Sequence, residues 1–190
     1  AREGMVACLS RRPRHSDALE ALAASIRSEG YEALAMAADA REEQSMIDLV
    51  DTIEKDVAAI EVAVFNIGAN VNFPIRDTTA QVYRKVWEMA CYAGFLMGRE
   101  VAKKMVERGS GTIIFTGATA SVRGGSGFSA FASAKHGLRA LAQSMARELG
   151  PSNIHVAHTI VDGMIDSNFI RDNVPQVDDL REQDGILNPD

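Results

Sequence analysis

Cysteine is scarce in this 190-residue chain, and Cys8 and Cys91 alone cannot build a disulfide framework. That scarcity fits a reducing compartment, and a cytoplasmic location is expected. No apolar run approaches the roughly 20 residues that a membrane-spanning helix needs; Val62 to Phe65 is typical of what there is. Ala1-Arg2-Glu3-Gly4 has none of the apolar character of a secretory leader. Positive charge is in deficit, 20 Lys and Arg against 26 Asp and Glu, for a net charge of −6. A general footprint for nucleic acid or an anionic membrane is therefore absent, and neither is expected as a partner. Proline is sparse, and neither a repeat nor a linker divides the chain. Secreted, membrane and fibrous classes are not expected.

What is present is ordinary globular composition, 46% hydrophobic and 24% charged, expected to form a single domain over residues 1–190. Short β-rich runs alternate with amphipathic helical stretches. Met5 to Leu9 reads as a strand, and Ser16 as the N-cap of a helix with Leu19, Leu22, Ala23 and Ile26 on one face and Gly30 as its stop. Leu34 to Ala38 is a second strand. Asp39 and Glu42 have capping-box spacing before a helix striped by Met46, Leu49, Val50 and Ile53. Val62 to Phe65 reads as a strand buried on both faces. Thr79 to Glu107 reads as one long helix, Thr112 to Thr116 as a strand, Ser129 to Leu149 as a helix stopped by Gly150-Pro151, and Ile154 to Ile160 as the last strand. The tail from Asp166 to Asp190 is polar and reads as irregular. This alternation implies βαβ crossovers: an α/β, three-layer αβα sandwich with a mostly parallel sheet.

Some suggestive patterns carry less than they promise. Gly109-Ser110-Gly111 leads into a strand, and Gly124-Gly125-Ser126-Gly127 lacks the Lys-Ser/Thr ending of a phosphate loop, so both read as turns. His155 and His158 lie three apart on a strand and face opposite sides, which argues against a shared metal. Arg11, Arg12, Arg14 and His15 form the one basic cluster, directly after a strand.

Five features in fixed order carry a family resemblance: Asp39 after the second strand, Asn66-Ile67-Gly68-Ala69 after the third, Gly111-Thr-Ile-Ile-Phe-Thr-Gly117-Ala118, Phe131-Ala-Ser-Ala-Lys135, and Asp162-Gly163-Met-Ile-Asp-Ser167. Together they resemble the short-chain dehydrogenase/reductase family, whose Rossmann-type fold uses NAD or NADP. The resemblance implies a first strand and a Gly-rich turn preceding Ala1, with that strand lying between the Met5 and Val62 strands. It also implies a further strand at the far edge. The sequence is thus expected to be an internal fragment of a longer protein.

For the cofactor, the resemblance assigns adenosine ribose recognition to Ser10-Arg11-Arg12. Guanidinium groups match a 2′-phosphate, so NADP(H) is favoured over NAD(H). Asp39 and Ala40 match the adenine-contacting pair, Asn66 and Gly68 the strand end beside the ribose, and Lys135 the lysine on the nicotinamide ribose. Gly163, Ile165 and Ser167 match the segment reaching the carboxamide, and Asp162 replaces the usual proline before Gly163.

The family's catalytic Asn-Ser-Tyr-Lys set is mostly altered. Lys135 is kept, but Phe131 stands at the tyrosine position, Ala118 at the serine position and Ala90 at the asparagine position. Thr119 replaces the serine if the loop shifts by one residue; the plainer reading for Thr119 and Ser133 is a bond to local backbone. Three readings remain open: an NADP(H)-linked oxidoreductase in which Lys135 and water replace the phenol, a non-catalytic relative that binds a nucleotide or partner, and an assembly subunit. The resemblance further implies homodimer or homotetramer contacts through helices 79–107 and 129–149. Hydride acceptors that need little protonation, such as a quinone or a preformed iminium, would suffer least from the missing groups.

Overall fold

The computed structural model describes residues 4–173, 177–182 and 186–188. Ala1 to Glu3 and parts of the tail read above as irregular lie outside the described residues. The element order is β1 (Ala7–Arg11), α1 (Ser16–Ser28), β2 (Ala33–Ala37), α2 (Glu43–Asp56), β3 (Val62–Phe65), α3 (Ala80–Trp87), α4 (Ala93–Arg108), β4 (Gly111–Ala118), α5 (Ser129–Leu149), β5 (Ile154–Val161), β6 (Met164–Ile165), α6 (Asn168–Asn173), α7 (Val177–Glu182) and β7 (Ile186–Leu187). Every strand pairing is parallel, with helices on both sides, a Rossmann-type α/β architecture.

The strands form two main sheets rather than one. β1 pairs with β2, while β3, β4 and β5 form a second sheet in that order. Apart from these, β6 and β7 make a two-stranded ribbon. The edges of β1 and β3 away from β2 and β4 have no strand partner among the described residues. Here Val62 to Phe65 departs from the buried strand that its apolar run predicts. Ala63 and Phe65 are buried, but Val62 and Val64 are 41% and 57% exposed on the opposite face. A continuous apolar run shows that both faces suit burial; it does not supply the second layer.

The main core lies between the β3–β4–β5 sheet and helices α2, α4 and α5. Phe65, Phe115, Ile113, Leu96, Met105 and Leu138 occupy its centre. Small residues let the layers approach: a Cβ on Gly94 would stand 2.5 Å from Leu138 and 3.2 Å from Phe65.

Four local expectations are corrected. The 79–107 stretch is not one helix but α3 and α4 joined by a π-helical turn, Glu88–Tyr92. Thr79 caps α3, its hydroxyl accepting from the Val82 N–H at 3.2 Å. Ser16 is the first residue of α1 rather than its cap, because the 3-10 turn Pro13–His15 already winds the chain before it. No capping box precedes α2: the Asp39 carboxylate bonds Arg41 instead, and Glu42 makes no side-chain cap bond. The tail carries two short helices and β7. Asp166 gathers this segment, accepting from Arg171 Nε at 2.8 Å and from Arg181 Nε and Nη2 at 2.8 and 2.9 Å. Among the described residues no helix is long and apolar enough to cross a membrane.

Candidate functional site

Parallel registers bring the strand ends together. Arg11 pairs with Ala37, Phe65 with Phe115, and Ala118 with Val161, so within each sheet the residues following the strands emerge at one edge. In open parallel sheets that edge is where ligands bind.

Lys135 is the centre of the second sheet's edge. One turn along α5 from Phe131, it is only 4% exposed. Its Nζ donates to the carbonyls of Thr116 at 2.9 Å and Ile67 at 3.2 Å, and sits 5.9 Å from the Phe131 ring centroid. An ammonium has three N–H donors, so one is left for a ligand hydroxyl. Burial pushes the lysine down to about 8, with the neighbouring Cys91 opposing the shift. Burial in turn raises Cys91.

The three altered positions meet in space. Phe131 and Ala90 are both buried in one apolar cluster with Val86, Cys91 and Ala134, and Ala118 packs against it. Ala90 sits within the π turn, a local widening that is often found at functional sites. The arrangement supplies shape around Lys135 but neither the phenol nor the serine hydroxyl.

Thr119 does not turn to local backbone. Its hydroxyl donates to the Asp162 carboxylate, forty-three positions away in sequence. Ser121 takes the local role, its fully buried hydroxyl accepting from the Ala118 N–H at 3.1 Å. Ser133 does bond backbone, donating to the Ala130 carbonyl at 3.0 Å. His158 lies beneath α5 with a buried Nε2 that has no hydrogen-bond partner, and burial together with Lys135 and Arg139 lowers its pKa.

At the first sheet's edge, Ser10 and Arg11 end β1 and are exposed, and Arg12 follows, half-buried. Neither Arg11 nor Arg12 has an ion-pair partner among the described residues. Desolvation, with the like charges of Arg14, Arg41 and Arg11, lowers the Arg12 pKa, while Asp39 opposes the shift. Asp39 receives Arg41 through two side-chain bonds, Nε at 2.9 Å and Nη2 at 2.5 Å, and the Arg41 side-chain bond holds its carboxyl below the usual range. Ala40 packs against the main core. Asn66 and Gly68 lie exposed after β3.

Gly163 and Ile165 lie at the β6–β7 ribbon, where Ile165 pairs with Leu187. A Cβ on Gly163 would stand 3.1 Å from Leu187. The Ser167 hydroxyl accepts from the Ile170 N–H at 3.5 Å, a long bond that leaves it available. The sequence reading missed Arg41, Cys91, His158 and the Thr119–Asp162 pair. Arg41 alone had a local signal, a cation two residues from Asp39.

The family pattern described as short chain dehydrogenase matches residues 1–178. An uncharacterised oxidoreductase of Bacillus subtilis, YxjF, is 28% identical over 181 residues, covering 95% of this chain and 69% of that protein. A crystal structure of a short-chain dehydrogenase from Rhodopseudomonas palustris is 48% identical, with a TM-score of 0.80 over 100% of this chain and 88% of that one. A gluconate 5-dehydrogenase from Burkholderia cenocepacia, solved with NADP and tartrate, shares the fold at 22% identity and a TM-score of 0.84, covering 92% of this chain and 68% of that one. The chain spans 53% and 51% of two further curated relatives. The family pattern covers the strands, the lysine helix and the strand-end loops just described, and the chain belongs to the short-chain dehydrogenase family.

Proposed function

We propose that this chain is the cofactor-binding and reacting part of an NADP(H)-dependent oxidoreductase that acts on a small molecule by altered proton transfer. The observation that carries the reading is Lys135, buried, anchored by two carbonyls and left with one free donor at the strand-end edge. A bound dinucleotide would supply or accept a hydride there. Lys135 would hold the nicotinamide ribose, Asn66 and Gly68 would flank it, and Gly163, Ile165 and Ser167 would reach the carboxamide. Asp39 and Ala40 would contact adenine, and Arg11 and Arg12, without ion-pair partners among the described residues, would take the 2′-phosphate. The chemistry of the residues present suits such a group: Lys135 keeps one donor beyond its two carbonyl bonds, and Arg11 and Arg12 have no ion-pair partner among the described residues.

Because no phenol is available, proton exchange falls to Lys135 and water. A lysine lowered to about 8 exchanges protons readily near neutral pH. The cytoplasm suits two free cysteines. Self-association through the α3–α4 and α5 faces is supported by Tyr83, Trp87 and Phe95, exposed by 39%, 42% and 36%. A non-catalytic nucleotide-binding relative is the second reading, favoured by the loss of three reacting groups at Phe131, Ala118 and Ala90.

Fluorescence titration of the full-length protein with NADPH and NADH tests the proposal. NADPH is expected to bind more tightly. Arg11→Ala with Arg12→Ala should cost NADPH about ten- to a hundredfold, from the roughly 1.5–3 kcal/mol of a hydrogen bond to a charged group, and leave NADH unchanged. Equal binding of both, or of neither, sinks the cofactor assignment. Binding without turnover on any hydride acceptor selects the non-catalytic reading.

A further inference from the structure

The oxidoreductase reading leaves one charged group at the reacting edge without a task. Asp162 follows β5 at the position where parallel pairing of Ala118 with Val161 delivers Thr119 on the neighbouring strand. Its carboxylate is exposed, accepts from the Thr119 hydroxyl, and has no cationic partner among the described residues. Some other exposed carboxylates do have one: Glu43 pairs with Arg99, Asp51 with Lys104 and Asp178 with Arg181. Lys135, the cation of this edge, is buried and spends two of its three donors on the Ile67 and Thr116 carbonyls. Beside Lys135, Phe131, Ala118, Ala69 and Val71 pack in one apolar cluster.

Resting on that reading, we propose that Asp162, fixed by Thr119, is a specificity-determining residue that selects a cationic substrate, a small iminium reduced to an amine. Two independent features converge on it. The strand-end edge carries an exposed carboxylate, with a hydroxyl to orient it and no cationic partner among the described residues, which attracts a positive centre and repels a carboxylate or phosphate. The cluster at Phe131, Ala118 and Ala90 offers no phenol or serine hydroxyl to protonate a carbonyl oxygen. An iminium needs none. Its carbon takes the two-electron hydride that a reduced nicotinamide dinucleotide supplies, the C=N π pair becomes the amine lone pair, and the dinucleotide is left oxidised. Atoms and charge balance without a proton donor. A ketone in the same place would generate an alkoxide that nothing at Phe131 or Ala118 can protonate.

The test begins with binding, which does not depend on turnover. Calorimetric titration of the full-length protein compares N-methyl-tetrahydroisoquinoline, cationic at neutral pH, with neutral tetralin of the same shape. The amine is expected to bind at least about tenfold more tightly, 1.4 kcal/mol, and Asp162→Asn should remove that preference while leaving NADPH affinity unchanged. Thr119→Val should weaken amine binding by a smaller factor, because the carboxylate remains but loses its orienting hydroxyl. Turnover is the second readout: N-methyl-dihydroisoquinolinium should be reduced faster than 1-tetralone, each corrected for the uncatalysed reaction, with Asp162→Asn raising KM for the cation alone. Equal binding of amine and tetralin, or an Asp162→Asn effect shared by both, overturns the cationic specificity while NADPH binding stands. Loss of NADPH binding in the parent protein overturns the oxidoreductase reading and this inference together.

Discussion

At the scale of single residues, Lys135 carries the clearest measurable consequence. Its folded pKa of about 8 lies below the ordinary lysine value of 10.5 because burial penalises the ammonium. Below pH 8 both folded and unfolded chains carry that proton, and the penalty stands in full. Between about 8 and 10.5 the folded state releases the proton first, so the unfolded state binds more protons and stability rises with pH. Lys135→Met removes the titration. The stability of the parent relative to this variant, followed by chemical denaturation across that window, should therefore climb by a few kcal/mol as pH rises. A flat or falling difference would mean the ammonium is better solvated than its two carbonyl contacts indicate. Phe131→Tyr combined with Ala118→Ser addresses the neighbouring cluster. Restoring an acid and a hydroxyl should raise ketone reduction by about a hundredfold or more, read as kcat/KM, and leave cofactor affinity where it was.

Residue by residue, legibility followed distance along the chain. Phe131 and Lys135 lie one helical turn apart, so their proximity could be read from the sequence alone. Arg41 is two residues from Asp39, near enough to have been noticed. Thr119 and Asp162 meet only because β4 and β5 align Ala118 with Val161, a register that depends on side-chain packing between strands and not on any local pattern. The basic cluster was visible as composition, but its lack of ion-pair partners at Arg11 and Arg12 needed the surrounding carboxylates to be placed first.

At the scale of elements, strands and helices followed their apolar periodicity, and the departures came where tertiary packing decides. Glu88-Met-Ala-Cys-Tyr92 contains no glycine or proline to announce an irregular turn, yet it is π-helical between α3 and α4. Directly after it, Gly94 lets α4 press against Leu138 of α5 and Phe65 of β3. Gly94→Ala should therefore cost about 1–3 kcal/mol as an overpacked core position, read as a lowered denaturation midpoint with an unchanged slope. No clash would be expected at Gly68, whose surroundings are open, so Gly68→Ala serves as the control for stability. A second element-scale contact closes the loop before β3. Arg108 bonds Glu54 at 3.0 Å and the Ile60 carbonyl at 2.6 Å, while Glu54 accepts from the Ile60 N–H at 2.8 Å. Glu54→Ala unties both partners of this half-buried knot and should cost about 1–3 kcal/mol, measured in the same way.

At the scale of the whole molecule, the division into two parallel sheets sets where the fold is firm. β4 is the one strand of the larger sheet that is paired along both edges. Its Ile113 and Phe115 are fully buried beneath α4 and α5. Among the described residues β3 is paired along one edge only, and its Val62 and Val64 face outward. In a parallel ladder alternate N–H groups point to opposite edges, so half of the β3 amides point away from β4, toward an edge with no strand partner among the described residues. The amphipathic reading of sequence cannot reveal this, because Val62-Ala63-Val64-Phe65 is equally apolar whether one face or two are covered. Hydrogen exchange resolves the difference directly. In residues 1–190 alone, amides of β4 should exchange slowest, at rates limited by global unfolding, whereas β3 should alternate between protected and unprotected positions. β1, paired only to β2 among the described residues, should show the same alternation from Ala7 to Arg11 in residues 1–190 alone. Uniform protection along β1 and β3 would mean that their outer edges are satisfied and that the two sheets act as one. The alternating pattern would make the smaller sheet, with its Arg11 and Arg12, a unit that opens independently of the sheet that holds Lys135. Phosphate recognition would then depend on how firmly the two sheets are held in register, while the lysine edge would stay rigid.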